Sequence, residues 1–282
     1  MRKTLLIVLA IGLLCSSVSA APKGNLKIAG STTVLPLSQI WAEAFMNKHP
    51  GTSISVSGGG SGVGISSLLN GSCQIANASR EAKRKEIDAA KSRAMTLVAT
   101  KLAKDGLAII VHSSNNVKNL TMAQLAGIYS GKITSWNQVG GDGSARIVVV
   151  GRDSSSGTYG FFQEAVPANR PYTRDMLAMP SNQSVAQAVA QSKDAVGYVG
   201  LAYAKDFAEA GKVRILSISR KTGQPGIVPS DKSVLDGSYP LFRYLFAYTL
   251  GKPRGLAGEF LKWCAGSEGQ AMVAKSGYLP LK

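Results

Sequence analysis

Short runs of alternating hydrophobic and polar residues recur along the chain, and most of them are followed by apolar residues at helical spacing. This alternation of strand and helix patterns predicts parallel sheets that are covered by helices on both sides. Three strand and helix pairs show the pattern: 25–29 with 34–45, 53–57 with 63–70, and 147–150 with 159–166. The expected fold class is therefore α/β.

The remaining elements follow from the same patterns. Strands are predicted at 74–79, 97–100, 106–111, 197–200, 213–218 and 241–249, and helices at 80–93, 121–129, 184–191, 256–264 and 268–275. The chain has 282 residues, which is enough for two lobes with separate cores. We expect the strand at 106–111 to cross into a second lobe and the strand at 241–249 to return to the first. Lobe I is then 25–107 plus 243–282, and lobe II is 108–242.

The first twenty residues have the pattern of a secretory leader. A basic start at 1–3, an apolar run at 5–14 and small residues at 16–20 predict a signal peptide that is cleaved after Ala20. The apolar run is too short to span a bilayer. Cys15 raises the alternative of a lipid anchor, but the bulky leucine before it disfavours lipid attachment. We expect a periplasmic protein.

The chain is strongly basic. Its formal charge is 32 − 16 = +16, and removing Arg2 and Lys3 with the leader leaves 30 − 16 = +14. Such a field draws anions toward the surface, although salt screens it beyond about 8–10 Å. A dedicated nucleic-acid function is not expected, because aromatic residues are few and the leader removes the usual partners. An adhesive basic surface protein remains an alternative.

The richest chemical signal is the stretch Gly-Arg-Asp-Ser-Ser-Ser-Gly-Thr at 151–158. It follows a buried strand and places Ser156, Gly157 and Thr158 at a helix N-terminus, where free N–H groups and the helix dipole favour a bound anion. Arg152 can add a forked pair of hydrogen bonds. The ordinary alternative is a serine N-cap and a surface ion pair.

Three loops of similar character precede it. Thr32 and Thr33 begin the first predicted helix, and a glycine-rich loop at 58–62 contains Ser61. The spacing of these glycines fits neither a dinucleotide fingerprint nor a P-loop, but glycine allows close approach of the backbone. The third loop, at 77–80, contains Ser79.

These loops resemble those of the phosphate-binding proteins that deliver phosphate to phosphate-specific ABC transporters. The matching stretches are 29–36, 58–62, 77–80, 152–158, 195–200, 239–241, 267–270 and 277–280. They follow one another in order over nearly the whole mature chain. The resemblance implies the type II periplasmic-binding-protein fold, in which each lobe is a mixed, mostly parallel sheet flanked by helices and the ligand lies in the cleft. It also implies a monomer that needs no cofactor and whose partners are inorganic phosphate and a membrane permease.

The resemblance further implies which residues bind phosphate. They are Thr32, Thr33, Ser61 and Ser79 from lobe I and Arg152, Ser156, Gly157 and Thr158 from lobe II. Arg80, directly after Ser79, is a weaker candidate.

One position departs from the family pattern. In longer members the residue matching Ser79 is an aspartate, an acceptor that tolerates a protonated phosphate and repels fully ionised sulfate. We expect Asp105 or Asp153 to supply the missing carboxylate, unless Asp153 instead orients Arg152. If neither faces the anion, discrimination against sulfate should be poor, so binding of another tetrahedral oxyanion is an alternative.

The remaining chemistry gives little support for an enzyme. Some relatives of the family are described as phosphatases, and Ser156 or Thr32 is a conceivable nucleophile. Phosphate ester hydrolysis usually needs metals or an activated nucleophile. The mature sequence has only His49 and His112, with no metal-ligand pattern and no G-x-S-x-G motif. We therefore expect a binding protein.

The two cysteines of the mature chain leave two possibilities. Cys73 and Cys264 form a disulfide, which an oxidising compartment permits, or they are two small buried thiols. The sequence does not say how far apart they lie.

Overall fold

The computed structural model describes residues 23–142, 144–166 and 170–281, so the predicted leader and Cys15 lie outside the described residues. The strands are β1 (Gly24–Gly30), β2 (Thr52–Gly59), β3 (Ile75–Ala78), β4 (Leu97–His112), β5 (Asn119–Thr121), β6 (Val148–Arg152), β7 (Leu177–Met179), β8 (Ala195–Gly200), β9 (Val213–Ile215), β10 (Ser217–Ser219) and β11 (Phe242–Leu250). The helices are α1 (Leu35–Lys48), α2 (Ser61–Leu69), α3 (Arg84–Lys91), α4 (Met122–Tyr129), α5 (Gly157–Ala165), α6 (Asn182–Gln191), α7 (Leu201–Glu209), α8 (Asp231–Leu235), α9 (Gly255–Ala265) and α10 (Ser267–Lys275), with a 3-10 turn at Trp136–Val139.

Most strands belong to one continuous sheet in the order β2-β1-β3-β11-β4-β8-β6-β7. Parallel pairs form its two ends, where β1 lies between β2 and β3, and β6 lies between β8 and β7. The middle is antiparallel, because β11 pairs with β3 and β4, and β4 pairs with β8. β9 also pairs with β4, and β10 pairs with β5 apart from this sheet.

The buried apolar residues change partners along β4 and β11. Leu102 and Ala103 of β4 pack with residues of β1, α1 and α9, whereas Leu107 to Val111 of the same strand pack among residues of the middle of the chain. In β11, alternate residues enter different cores on opposite faces of the sheet: Leu245 packs toward α1 and α9, and Phe246 packs toward α2. The crossing of β4 and β11 between two lobes, like the residue bounds of the lobes, stays a prediction.

Several elements differ from the sequence prediction. The two strands predicted at 97–100 and 106–111 are one strand, β4, because the residues between them continue the ladder with β11. The strand predicted at 213–218 is divided at Leu216, whose N–H donates to Ile109 O at 2.9 Å, and its halves pair with different strands. The sequence patterns did not reveal β5, β7, α7 or α8.

The charged helix predicted at 80–93 begins later, at Arg84. The preceding residues are held in an extended turn by Glu86, whose carboxylate accepts from the Lys83 N–H at 2.7 Å and from Arg80 Nη1 and Nη2 at 2.8 and 2.7 Å. A side chain that satisfies the first free N–H of a helix fixes the helix start.

The disulfide considered for Cys73 and Cys264 is not formed, because both are free thiols. Both are buried, but they pack in different cores, Cys73 beside Ile65 and Leu68 and Cys264 beside Phe260. Burial raises the pKa of the Cys73 thiol to about 11 and raises that of Cys264 as well. They behave as small apolar side chains.

Candidate anion-binding site

The hydroxyl-rich loops all follow the carboxyl ends of strands. β1, β2 and β3 are parallel neighbours, so the loops that carry Thr33, Ser61 and Ser79 emerge at one edge of the sheet. The loop after β6 runs into α5 and carries the second group of predicted residues. In α/β sheets this edge is where ligands bind.

The start of α5 lies directly against two serine hydroxyls from the first part of the chain. Ser61 Oγ accepts from the Ser79 N–H at 3.0 Å and lies 3.5 Å from Ser79 Oγ. A methyl group added at Gly157 would collide with Ser61 Oγ and would lie 2.6 Å from Ser79 Oγ. The structure therefore brings Ser61, Ser79 and Gly157 together, as the sequence predicts, and explains why residue 157 carries no side chain.

Ser156 has the role of an N-cap. Its Oγ accepts from the backbone N–H groups of Thr158 and Tyr159 at 3.1 and 3.3 Å, and the residue is buried. Because those bonds use only its acceptor capacity, the hydroxyl hydrogen remains free to donate. The capping interpretation and the binding interpretation are thus compatible.

A second pair of hydroxyls meets nearby. Thr33 Oγ1 lies 3.1 Å from Thr158 Oγ1, and both residues are buried. Two tyrosines fix the loop that carries Thr33: Tyr278 donates to Thr33 O at 2.5 Å, and Tyr203 donates to Thr32 O at 3.0 Å. Thr32 Oγ1 is buried and has no hydrogen-bond partner among the described residues.

Arg152 is buried with one nitrogen unused. Its side chain is 1 % exposed, and Nε and Nη2 donate to the carbonyl oxygens of Met179 and Pro180 at 3.1 and 2.9 Å. Nη1 has no partner within the described ranges. Burial lowers the pKa of the guanidinium, which is the cost of placing a cation where it can meet a desolvated anion.

Asp153 faces its own loop. One oxygen accepts from the Ser155 N–H at 2.9 Å and is also bonded by the Ser155 hydroxyl, while the other lies 4.0 Å from Arg152 Nη2. At that distance Asp153 forms no hydrogen bond with Arg152, whose orientation is fixed by the two carbonyl oxygens.

Asp105 is engaged by a residue that the sequence analysis did not single out. Its Oδ2 accepts from Arg243 Nε at 3.1 Å and from Nη2 at 2.8 Å, and both side chains are 2 % exposed. The two residues lie opposite each other on β4 and β11. Burial raises the pKa of Asp105, and the ion pair with Arg243 opposes that shift. The carboxylate is directed at Arg243.

Two functional candidates were missed by the sequence analysis. Arg243 Nη2 donates to Thr33 Oγ1 at 3.3 Å, and Asn182 Nδ2 donates to the same oxygen at 3.1 Å. The sequence could have indicated Arg243, because a single cation lies within the apolar run 241–249 and a buried charge needs a partner. Asn182 was harder to identify, because a polar residue at the start of a helix is common.

Arg80, the weaker candidate, is turned toward Glu86, with which it forms a two-pronged ion pair. It borders a groove of about 640 Å³ together with Gly62 and Ser155. Arg80 donates to Glu81 O and to the Glu86 carboxylate, and not to the hydroxyls of the site.

The hydroxyls, the backbone N–H groups and the guanidinium described above can all donate hydrogen bonds to an anion. Among the residues that the structure describes, no cluster of three or more His, Cys, Asp or Glu side chains could hold a metal ion. In the same ranges, no helix combines the length and the apolar character that crossing a bilayer requires.

Comparison with known proteins gives consistent matches. Residues 16–268 match the family model described as the PBP superfamily domain. The phosphate-binding protein PstS of Bacillus subtilis is 35% identical over 260 residues, a match that covers 92% of this chain and 81% of that protein. The phosphate-binding protein PstS of Pseudomonas aeruginosa is 32% identical over 274 residues, covering 92% of this chain and 83% of that protein.

A solved structure agrees with these matches. A protein of Clostridium perfringens, described as a phosphate ABC transporter substrate-binding protein with bound phosphate, has a TM-score of 0.81 and 32% identity. The match covers 92% of this chain and 100% of that one.

Proposed function

Because the chain belongs to the PstS family of phosphate-binding proteins, we propose that it captures inorganic phosphate between its two lobes and delivers it to the permease of an ABC transporter. The family resemblance and the α/β fold predicted from the sequence are confirmed. Hydrolysis of ATP would belong to a partner protein. The leader pattern supports export to the periplasm, and we propose that the carrier acts there as a monomer.

The proposal rests on one observation: hydroxyl groups from the loops after β1, β2 and β3 lie against the N-terminus of α5, which is distant in sequence. Gly157 at the start of α5 packs on Ser61 and Ser79, and Thr158 contacts Thr33. The proposed phosphate ligands are Thr32, Thr33, Ser61, Ser79, Arg152, Ser156, Gly157 and Thr158. Hydroxyls, backbone N–H groups and one guanidinium supply the donors that a desolvated tetrahedral anion needs.

Contacts between the loops explain how binding would close the cleft. The Gly62 N–H donates to Ser155 O at 2.9 Å, and the Ser155 hydroxyl oxygen, which also contacts Asp153, lies 3.0 Å from Gly59 O. These contacts form only when the loops after β2 and β6 lie together. An anion that is bound by both sides favours the same arrangement, because it binds that conformation more tightly.

We propose that the protein is a binding protein and not a phosphatase, since the site has donors but no activated nucleophile. A sulfate-like ligand is the alternative that the geometry keeps open: Ser79 stands where longer relatives have a carboxylate, and Asp105 and Asp153 have other partners. Selectivity is therefore the property to measure.

The test is calorimetric titration of residues 21–282, unfolded and refolded to remove carried-over anion, with phosphate and then with sulfate. We expect one-to-one phosphate binding that Arg152→Met weakens by roughly 100-fold, because each hydrogen bond to a charged group contributes about 1.5–3 kcal/mol. The matched control is Arg146→Met, which removes one cation whose side chain is 71 % exposed. Absent phosphate binding in the folded wild type would refute the proposal, and preferred sulfate binding would establish the alternative.

A further inference from the structure

The buried ion pair of Asp105 and Arg243 does not use the whole guanidinium. Arg243 directs Nε and Nη2 at Asp105 and a further Nη2 hydrogen at Thr33 Oγ1. Nη1 is buried and has no hydrogen-bond partner in the part of the chain that the structure describes. The guanidinium is planar, and Nη1 and Nη2 share its outer end, so the unused nitrogen lies at the same end of the side chain as the nitrogen that contacts Thr33.

Arg243 also determines the direction of the Thr33 hydroxyl. Thr33 Oγ1 accepts from Arg243 Nη2 and from Asn182 Nδ2, at 3.3 and 3.1 Å. A hydroxyl oxygen accepts at most two hydrogen bonds. Both acceptor positions are therefore filled, and the hydroxyl hydrogen must be donated to a third group, which is Thr158 Oγ1 or an anion beside it.

Arg243 lies within electrostatic range of the other cation of the site. The positive charge of Arg243 is among the causes that lower the pKa of Arg152. Two buried guanidinium groups that repel each other, each with an unpartnered Nη1, destabilise the fold unless an anion or a carboxylate compensates them. Asp105 compensates one of the two, while Asp153 reaches Arg152 only at 4.0 Å.

We propose that Arg243 is a second anion-binding guanidinium, which donates through Nη1 and is positioned by Asp105. The inference rests on the proposed function, to which it adds a ligand from the middle of the sheet. Asp105 then serves the site by fixing Arg243 and not by facing the anion itself.

The position of the pair gives this contact a second effect. Asp105 and Arg243 are cross-strand neighbours in β4 and β11, the two strands along which the core changes partners. An anion bound to Arg243 is therefore held by the crossing strands as well as by the loops of the cleft. Binding of the anion to Arg243 is then coupled to closure of the lobes.

The test compares wild type with Arg243→Lys, Asp105→Asn and the double variant Asp105→Asn with Arg243→Gln. Removing Arg243 alone leaves a buried carboxylate unpaired, so the double variant is the one expected to fold. We expect phosphate affinity to fall by about 10- to 100-fold in the double variant and in Arg243→Lys, because a lysine ammonium cannot serve Asp105 and the anion together. Melting curves without ligand confirm folding, and neither Arg243→Lys nor the double variant changes the net charge of the protein.

Side-chain NMR of arginine gives a readout that a purely structural ion pair would not move. The Arg243 signal, identified by its loss in Arg243→Lys, should shift when phosphate is added to wild type, and Asp105→Asn should shift it without phosphate. If wild type binds phosphate while the folded double variant binds within about threefold of it, Arg243 is structural and the inference is wrong. If folded wild type binds no phosphate, the proposed function fails and the inference fails with it.

Discussion

At the scale of single residues, the site depends on side chains that are small or absent. Gly157 has no Cβ because Ser61 and Ser79 occupy that space. The resemblance named this glycine as a ligand, but only the packing shows that it is also a steric requirement. The same residue begins α5, so its backbone N–H belongs to the first turn of the helix, for which we propose anion binding.

Gly157→Ala should weaken phosphate binding by at least about tenfold while leaving the fold intact. The added methyl group pushes Ser61 and Ser79 away from α5, whereas alanine favours a helix over glycine by about 0.8–1.0 kcal/mol. Titration and melting curves measure the two effects separately. Gly160→Ala, in the same helix, is the control, because its methyl group would lie 3.1 Å from Arg80 Cδ and 3.5 Å from Arg80 Nε and would not meet Ser61 or Ser79. Equal affinities of the two variants would contradict this role.

The cysteines give a second prediction at this scale. With a pKa of about 11, Cys73 is thiolate in roughly one molecule per thousand at pH 8, and only the thiolate reacts. Thiol reagents should therefore label neither Cys73 nor Cys264 in the folded protein within minutes, and should label both in denaturant without prior reduction. Labelling that requires a reductant would show that the two are bonded after all.

At the scale of elements, the Glu86 side chain determines where α3 begins and holds the residues before it outside the helix. Glu86 holds the Lys83 N–H and both terminal nitrogens of Arg80, and the Arg80 and Glu86 side chains are 8 and 12 % exposed. Asp88 on the same helix pairs with Arg84, whose side chain is 83 % exposed. The two ion pairs differ chiefly in burial, which decides how much each contributes.

Glu86→Gln should lower the free energy of unfolding by about 2–4 kcal/mol, because it leaves the buried Arg80 cation without a counter-charge. Asp88→Asn, the exposed control, should change it by less than about 0.5 kcal/mol. Urea unfolding followed by circular dichroism measures both. Similar values for the two variants would mean that Arg80 finds another partner.

Elements built from local patterns were predictable, and contacts between distant elements were not. Periodicity placed β1, α1, β2 and α2 within a few residues of their observed bounds, because each buries a regular face. The pairing of Asp105 with Arg243 depends on how β4 and β11 align over 138 positions of sequence separation. No local pattern encodes that register, so the sequence named Asp105 without the arginine that its carboxylate contacts.

At the scale of the whole molecule, the net charge and the buried donors of the site have different effects on anion binding. A formal charge of +14 in the predicted mature chain surrounds a site made of donors. Such a field accelerates the arrival of anions without choosing among them, and the choice is left to the buried groups. Rate and selectivity therefore have separate structural origins.

The association rate of phosphate should fall by about threefold to tenfold between roughly 10 and 150 mM salt, because salt screens the field of the surface charges. Dissociation should change less, since the bound anion is buried. Stopped-flow measurements with an environment-sensitive fluorophore on an exposed position would separate the two rates. An association rate that is independent of salt would remove the surface charge from the mechanism.

The place of β11 between β3 and β4 bears on how the chain is made. The sheet of its first hundred residues lacks a middle strand until residues 242–250 have been synthesised, so Ile75 and Ala103 cannot complete their core before then. Contacts this distant in sequence form slowly. The segment of a nascent chain that forms β1 to β3 therefore cannot complete its core until the ribosome has made β11, and an incomplete core keeps that segment in a form that can be threaded through a narrow export channel.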